Sequence, residues 1–135
     1  MTRLVALSEE SALELLASVN IGRLVHKPRG LPPVRVLGHL LDDDQLVLRV
    51  RLPEDLRGRP NYPARLTYQA ERIDADNLTG WIVIVSGQAE RITDPAVQAR
   101  YRVPMRARPD ERKEHLVRIY LDRVTGRLLT RDHIR

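Results

Sequence analysis

Cysteine is absent from this chain of 135 residues. Without thiols there is no disulfide scaffold, thiolate zinc finger, iron–sulfur cluster or cysteine nucleophile. A reducing cytoplasm is the expected setting. Phenylalanine is absent too, and aromatic residues make up only 4%, few for the base-stacking surface that single-stranded nucleic acid requires. No apolar run approaches the about 20 residues of a membrane-spanning helix. The opening residues carry one charge and a short apolar stub, without the apolar stretch and cleavage site of a secretory signal. Lysine is scarce: of 23 basic residues, all but Lys27 and Lys113 are arginine, and the net charge is +5. No block of five like charges occurs, so there is no basic tail. The expected partners therefore include neither nucleic acid nor a membrane.

An apolar fraction of 42% and a charged fraction of 30% fit one folded domain over residues 1–135. Ser8 is placed as an N-cap, with Glu9 and Glu10 in the first turn, where the helix dipole favours acids. Leu13, Leu16 and Ala17 then predict a helix over 9–18. Alternating patterns predict strands over 21–26, 34–40 and 46–51, the last two joined by an acidic turn at Asp42, Asp43 and Asp44. Pro53, Gly58, Pro60 and Pro63 exclude a long regular element over 52–63. Strands follow at 66–71 and 81–85, with a turn at 74–77 between them and a bulge or close approach at Gly87. Asp94 and Pro95 open a helix over 95–102. A last strand over 116–121 is expected to end near Gly126, followed by a mobile tail at 130–135. Six short strands joined by turns predict an antiparallel sheet closed, or nearly closed, into a barrel.

The chemistry-bearing residues are sparse. His26, His39, His115 and His133 show no metal-ligand spacing, and no metal site is expected. P-loop, dinucleotide and nucleophile-elbow motifs are missing. Arginines gather near strand ends: Arg35, Arg49 and Arg51 on the hairpin, then Arg57 and Arg59 in the loop after it. Such a set builds a phosphate pocket if the forks converge, and otherwise simply faces water. Trp81 reads equally as a core or interface anchor and as a wall against a planar cofactor. No catalytic residue is evident.

The order of several short motifs is nevertheless distinctive. Leu7-Ser8-Glu9-Glu10 precedes Ile21-Gly22-Arg23-Leu24, followed by Gly30-Leu31-Pro32 and Val34-Arg35-Val36, then Leu46-Val47-Leu48-Arg49. The strongest stretch runs from Thr79 through Trp81 to Ala89, followed by Asp94-Pro95; His115–Ile119 and Val124–Arg127 close the series. Over about residues 7–129 the chain resembles the pyridoxamine 5'-phosphate oxidase-like family, in particular its small actinobacterial members. That resemblance implies a six-stranded flavin-binding split barrel of mainly β class with small helices. It also implies a homodimer with two cofactor sites at its interface. FMN is the usual ligand, with FAD, the deazaflavin F420 or heme in some relatives. Carried over position by position, Arg35, Val36, Arg49, Val50, Arg57 and Trp81 fall at cofactor positions. Val50 stands where a hydroxyl is usual, and Glu54 and Asp55 stand near the usual phosphate loop. The resemblance implies an oxidoreductase passing hydride to or from a small molecule. The alternatives are a non-catalytic flavin or heme module, with His26, His39 or His115 as iron ligand, and a dimer that has lost its cofactor.

Overall fold

In the computed structural model the described residues are 2–25, 34–50, 65–102, 104–105 and 115–131, with the backbone alone described at 34 and 35. The elements are β1 (Thr2–Leu7), α1 (Glu9–Ala17), β2 (Ile21–Val25), β3 (Val34–Asp42), β4 (Gln45–Val50), β5 (Arg65–Asp74), β6 (Thr79–Arg91), α2 (Pro95–Arg102) and β7 (His115–Arg131). Six strands close a barrel in the order β7-β4-β3-β2-β5-β6, with β6 pairing back onto β7. All these pairings are antiparallel. Closure leaves the barrel without a free sheet edge at its waist.

Both helices begin where local chemistry places them. The Ser8 side chain accepts from the Ser11 backbone N–H at 3.1 Å and starts α1. Asp94 accepts from the Ala96 N–H at 2.9 Å, and Pro95 takes the first helical position of α2. The buried side of α1 is Ala12 and Leu16, one turn apart. It closes one end of the barrel against a core that includes Leu24, Leu46, Leu48, Tyr68, Val83, Val85, Val117 and Ile119. On the outside, α2 covers β3 and β4: Val47, Ile92, Tyr101 and Met105 form a separate cluster, with Leu40 and Leu116 packed against it. The Tyr101 hydroxyl donates to Asp42 at 2.8 Å, tying the helix to the acidic hairpin turn.

Three expectations are corrected. The N-terminal stub is a strand, β1, lying outside the barrel on the far half of β7 with Thr2 opposite Arg131. The last strand does not end near Gly126; it is one strand of 17 residues. A Cβ at Gly126 would come within 2.8 Å of the Ala12 Cβ and 3.3 Å of Leu7, so this glycine lets α1 sit directly on the strand. Thr130 and Arg131, expected in the tail, belong to the same strand, opposite Arg3 and Thr2; the rest of the expected tail, 132–135, lies outside the described residues. The expected bulge is present as a register shift between Ser86 and Gly87. Opposite it, Arg65 makes a bidentate ion pair with Asp122, at 3.0 and 2.8 Å.

Candidate functional site

The pleat of β3 sorts its residues onto two faces. His39 points inward, 4% exposed. Its Nε2 lies 2.9 Å from the Leu16 carbonyl and its Nδ1 2.6 Å from the Tyr68 hydroxyl. The carbonyl can only accept, so Nε2 carries the proton, and Nδ1 of the neutral ring accepts from Tyr68. The Leu37 carbonyl, at 3.1 Å, competes for the same single hydroxyl proton at the longer distance. Burial pushes the His39 pKa down, opposed by the backbone hydrogen bonds at Leu16 and Val19. Burial likewise pushes the Tyr68 phenol up. His39 thus joins α1, β3 and β5 from inside, and neither ring nitrogen is left for an iron atom.

The opposite face of β3 is open. Val36 is 63% exposed, and Ile21, on the neighbouring strand, is 56% exposed. Ile21 lies directly across from Gly38. A Cβ at Gly38 would meet the Arg49 guanidinium at 3.2 Å (Nη2) and 3.6 Å (Nε). The guanidinium of Arg49 therefore lies over a position that has no side chain, beside exposed apolar residues. Arg23, opposite Val36, is ion-paired with Glu71. This face combines a flat apolar platform with a half-buried arginine fork. It suits an amphipathic ligand with a planar apolar part and an anionic end.

The other sequence-predicted residues fall differently. Arg35 lies in β3 opposite Leu24; its side chain lies outside the described residues, as do Arg57, Arg51, Arg59, Glu54 and Asp55. Val50 is 1% exposed and Trp81 8%, and both belong to the barrel core. The structure therefore brings Val36 and Arg49 onto one outer face and puts Val50 and Trp81 inside. At the barrel end away from α1, His115 stands opposite Val50, and its Nδ1 lies 2.9 Å from an Arg91 Nη. The guanidinium only donates, so the neutral His115 ring carries its proton on Nε2. His26 and His133 lie outside the described residues. Among the described residues, no three His, Asp or Glu side chains form a metal-ligand group, and no helix is long and apolar enough to cross a membrane. Sequence reasoning marked Gly38 as a departure from the family's usual polar residue but missed the approach of Arg49 over it. Its signal was a glycine inside an alternating strand, which marks a close approach.

A closed six-stranded antiparallel barrel, capped by one short helix and flanked by another, defines a split-barrel protein. The family description "Pyridoxamine 5'-phosphate oxidase" matches residues 8–128, and the chain belongs to that family. Relatives support the same placement. The uncharacterised Mycobacterium tuberculosis protein Rv0080 is 36% identical over 101 residues, covering 72% of this chain and 66% of Rv0080. The chain thus spans just under two thirds of that relative's own length. The FAD-binding protein of Mycobacterium smegmatis is 26% identical, with a TM-score of 0.67, covering 94% of this chain and 99% of that one. A Corynebacterium glutamicum protein bearing the pyridoxamine 5'-phosphate oxidase name superposes with a TM-score of 0.75 at 24% identity, covering 96% of this chain and all of that one. At that identity the likeness concerns the fold.

Proposed function

We propose that this chain is a flavin-binding oxidoreductase that works as a homodimer in the cytoplasm, carrying FMN or FAD against the outer face of β2, β3 and β4. The observation that carries this reading is the Arg49 guanidinium lying over Gly38 beside exposed Val36 and Ile21. The FAD-binding name of the Mycobacterium smegmatis relative favours a flavin over F420 or heme. Both His39 nitrogens are engaged inside the protein, which counts against heme at that residue.

The residues present fit a flavin in a specific way. Arg49 would hold an anionic oxygen of the phosphate by charge-assisted hydrogen bonds. Arg35 and Arg57 join it in this reading by their sequence positions. Val36 and Ile21 would exclude water from the apolar ring, and a second copy of the chain would cover the same exposed apolar residues. Val50 and Trp81, inside the barrel, would support the strands that carry the site. When bound, the flavin supplies hydride chemistry with a small-molecule substrate, and the protein's share is to orient and shield it.

The test is the visible absorption spectrum of the purified protein, alone and after incubation with excess FMN or FAD followed by desalting. Flavin bands that survive desalting are the expected result. A blank spectrum with both flavins would overturn the proposal and leave F420, or a dimer without cofactor, in its place.

A further inference from the structure

β2 lies between β3 and β5, but its pairing is shorter than either neighbour. On one side it ends at Ile21 opposite Gly38; on the other it ends at Arg23 opposite Gln69. Among the described residues, β3 continues to Asp42 held by β4 alone, and β5 continues to Asp74 held by β6 alone. Beyond Asn20, between these ends of β3 and β5, there remains a slot. It is a cavity of about 420 Å³, lined by the chain from Ala17 to Ile21, by His39, Leu40 and Leu41 of β3, by Glu71 and Arg72 of β5, and by Pro104. That volume lies within the about 300–1,000 Å³ of small-ligand sites.

The walls specify what fits. The His39 backbone N–H donates to the Asn20 carbonyl at 3.0 Å, so this edge of β3 faces β2 and, past Asn20, the slot. Two residues on, the Leu41 N–H and C=O face the same way, and no backbone pairing engages them among the described residues. Leu40, Leu41, Ile21 and Pro104 supply apolar surface. The charges are unequal. Glu71 is already ion-paired with Arg23 and accepts from Gln69, whereas the Arg72 side chain makes no hydrogen bond or ion pair among the described residues. The slot therefore offers a strand edge, an apolar lining and one uncompensated cation. A C-terminal carboxylate on an extended chain satisfies all three.

We propose that this slot binds the carboxylate end of a short extended peptide, which continues β2 by pairing with β3 and places its terminal carboxylate on Arg72. The site adjoins the Arg49 face at Ile21, which borders both, but it does not depend on the flavin reading. The chain carries its own reporter. Trp81, the single tryptophan, lies directly across from Arg72 on β6.

The experiment titrates the full chain with acetyl-Leu-Leu bearing a free carboxylate, following Trp81 fluorescence and backbone amide shifts. A saturable change is expected, with the largest shifts at 39–41 and 71–72. Replacing the carboxylate by a carboxamide should weaken binding at least about tenfold, as loss of a charge-assisted contact does. Arg72→Gln should weaken it similarly, and because Arg72 is exposed the variant is expected to fold, which far-UV circular dichroism checks. Equal affinity for the carboxamide, or no saturable change by either readout, overturns the proposal. Flavin retention measured on the same samples separates this outcome from failure of the flavin reading.

Discussion

The two faces of β3 do opposite work. Inward, His39 is fully engaged by the α1 carboxyl end and Tyr68, in a packed barrel end where Gly126 makes room for Ala12. Outward, one residue away, Gly38 leaves an open position under an arginine, with exposed Val36 beside it on the same face. The inner face uses a glycine to bring protein against protein. The outer face has one where a side chain would crowd the Arg49 fork. The comparison teaches that closeness within the fold and readiness for a ligand occupy alternate residues of one strand, so they should be separable by mutation.

The largest effect should come from the inner face. Leu16→Ala removes a fully buried side chain at the barrel end and should cost about 2–5 kcal/mol of unfolding free energy, read by chemical denaturation. Gly126→Val forces a branched side chain between α1 and β7 and should cost about 1–3 kcal/mol or more, with the same readout. On the outer face, Gly38→Val should shift stability little but push against the Arg49 fork. Its expected signature is weakened flavin retention at a nearly unchanged melting temperature. If Gly38→Val instead melts the protein as Gly126→Val does, the separation of faces fails.

Acid supplies a subtler contrast. The His39 pKa is lowered by burial, so the folded protein binds fewer protons there than the unfolded chain. The resulting stability is present above the unfolded value of about 6.5 and is lost as pH falls below it toward the lowered folded value. Melting temperatures measured from pH 7.5 down to 5 should therefore drop, and His39→Gln should flatten that part of the profile. Smallest of all is Asp122→Asn at the bulge. The hydrogen bond from Arg65 holds the Asp122 carboxyl below its usual range. The pair is exposed, so its loss should barely move the midpoint at neutral pH.

The sequence disclosed elements whose signals are local. Ser8 and the Asp94-Pro95 pair start helices at the residues observed, and the acidic hairpin turn lies where its three aspartates stand. β1 was hidden because its partner among the described residues lies more than 100 residues away on β7. Gly126 read as a terminator because nothing nearby in the chain reveals that α1 packs on it. The site was legible in part for a related reason. Leu46, Val47, Leu48 and Val50 are all buried, because α2 covers the outside of β4 while the barrel core covers its inside. An apolar run covered on both sides shows no alternation. Hence Arg49 and Val50 could be placed on the right strand without revealing that one faces outward and the other inward.

The most direct test of the outer-face account is a flavin titration of the wild-type chain and of Arg49→Ala, with the melting temperature of each measured alongside. The account predicts that the wild type retains flavin and that Arg49→Ala binds it at least about tenfold more weakly, with little change in melting temperature. Equal flavin affinity in the two proteins, or loss of flavin only together with loss of the fold, would contradict it.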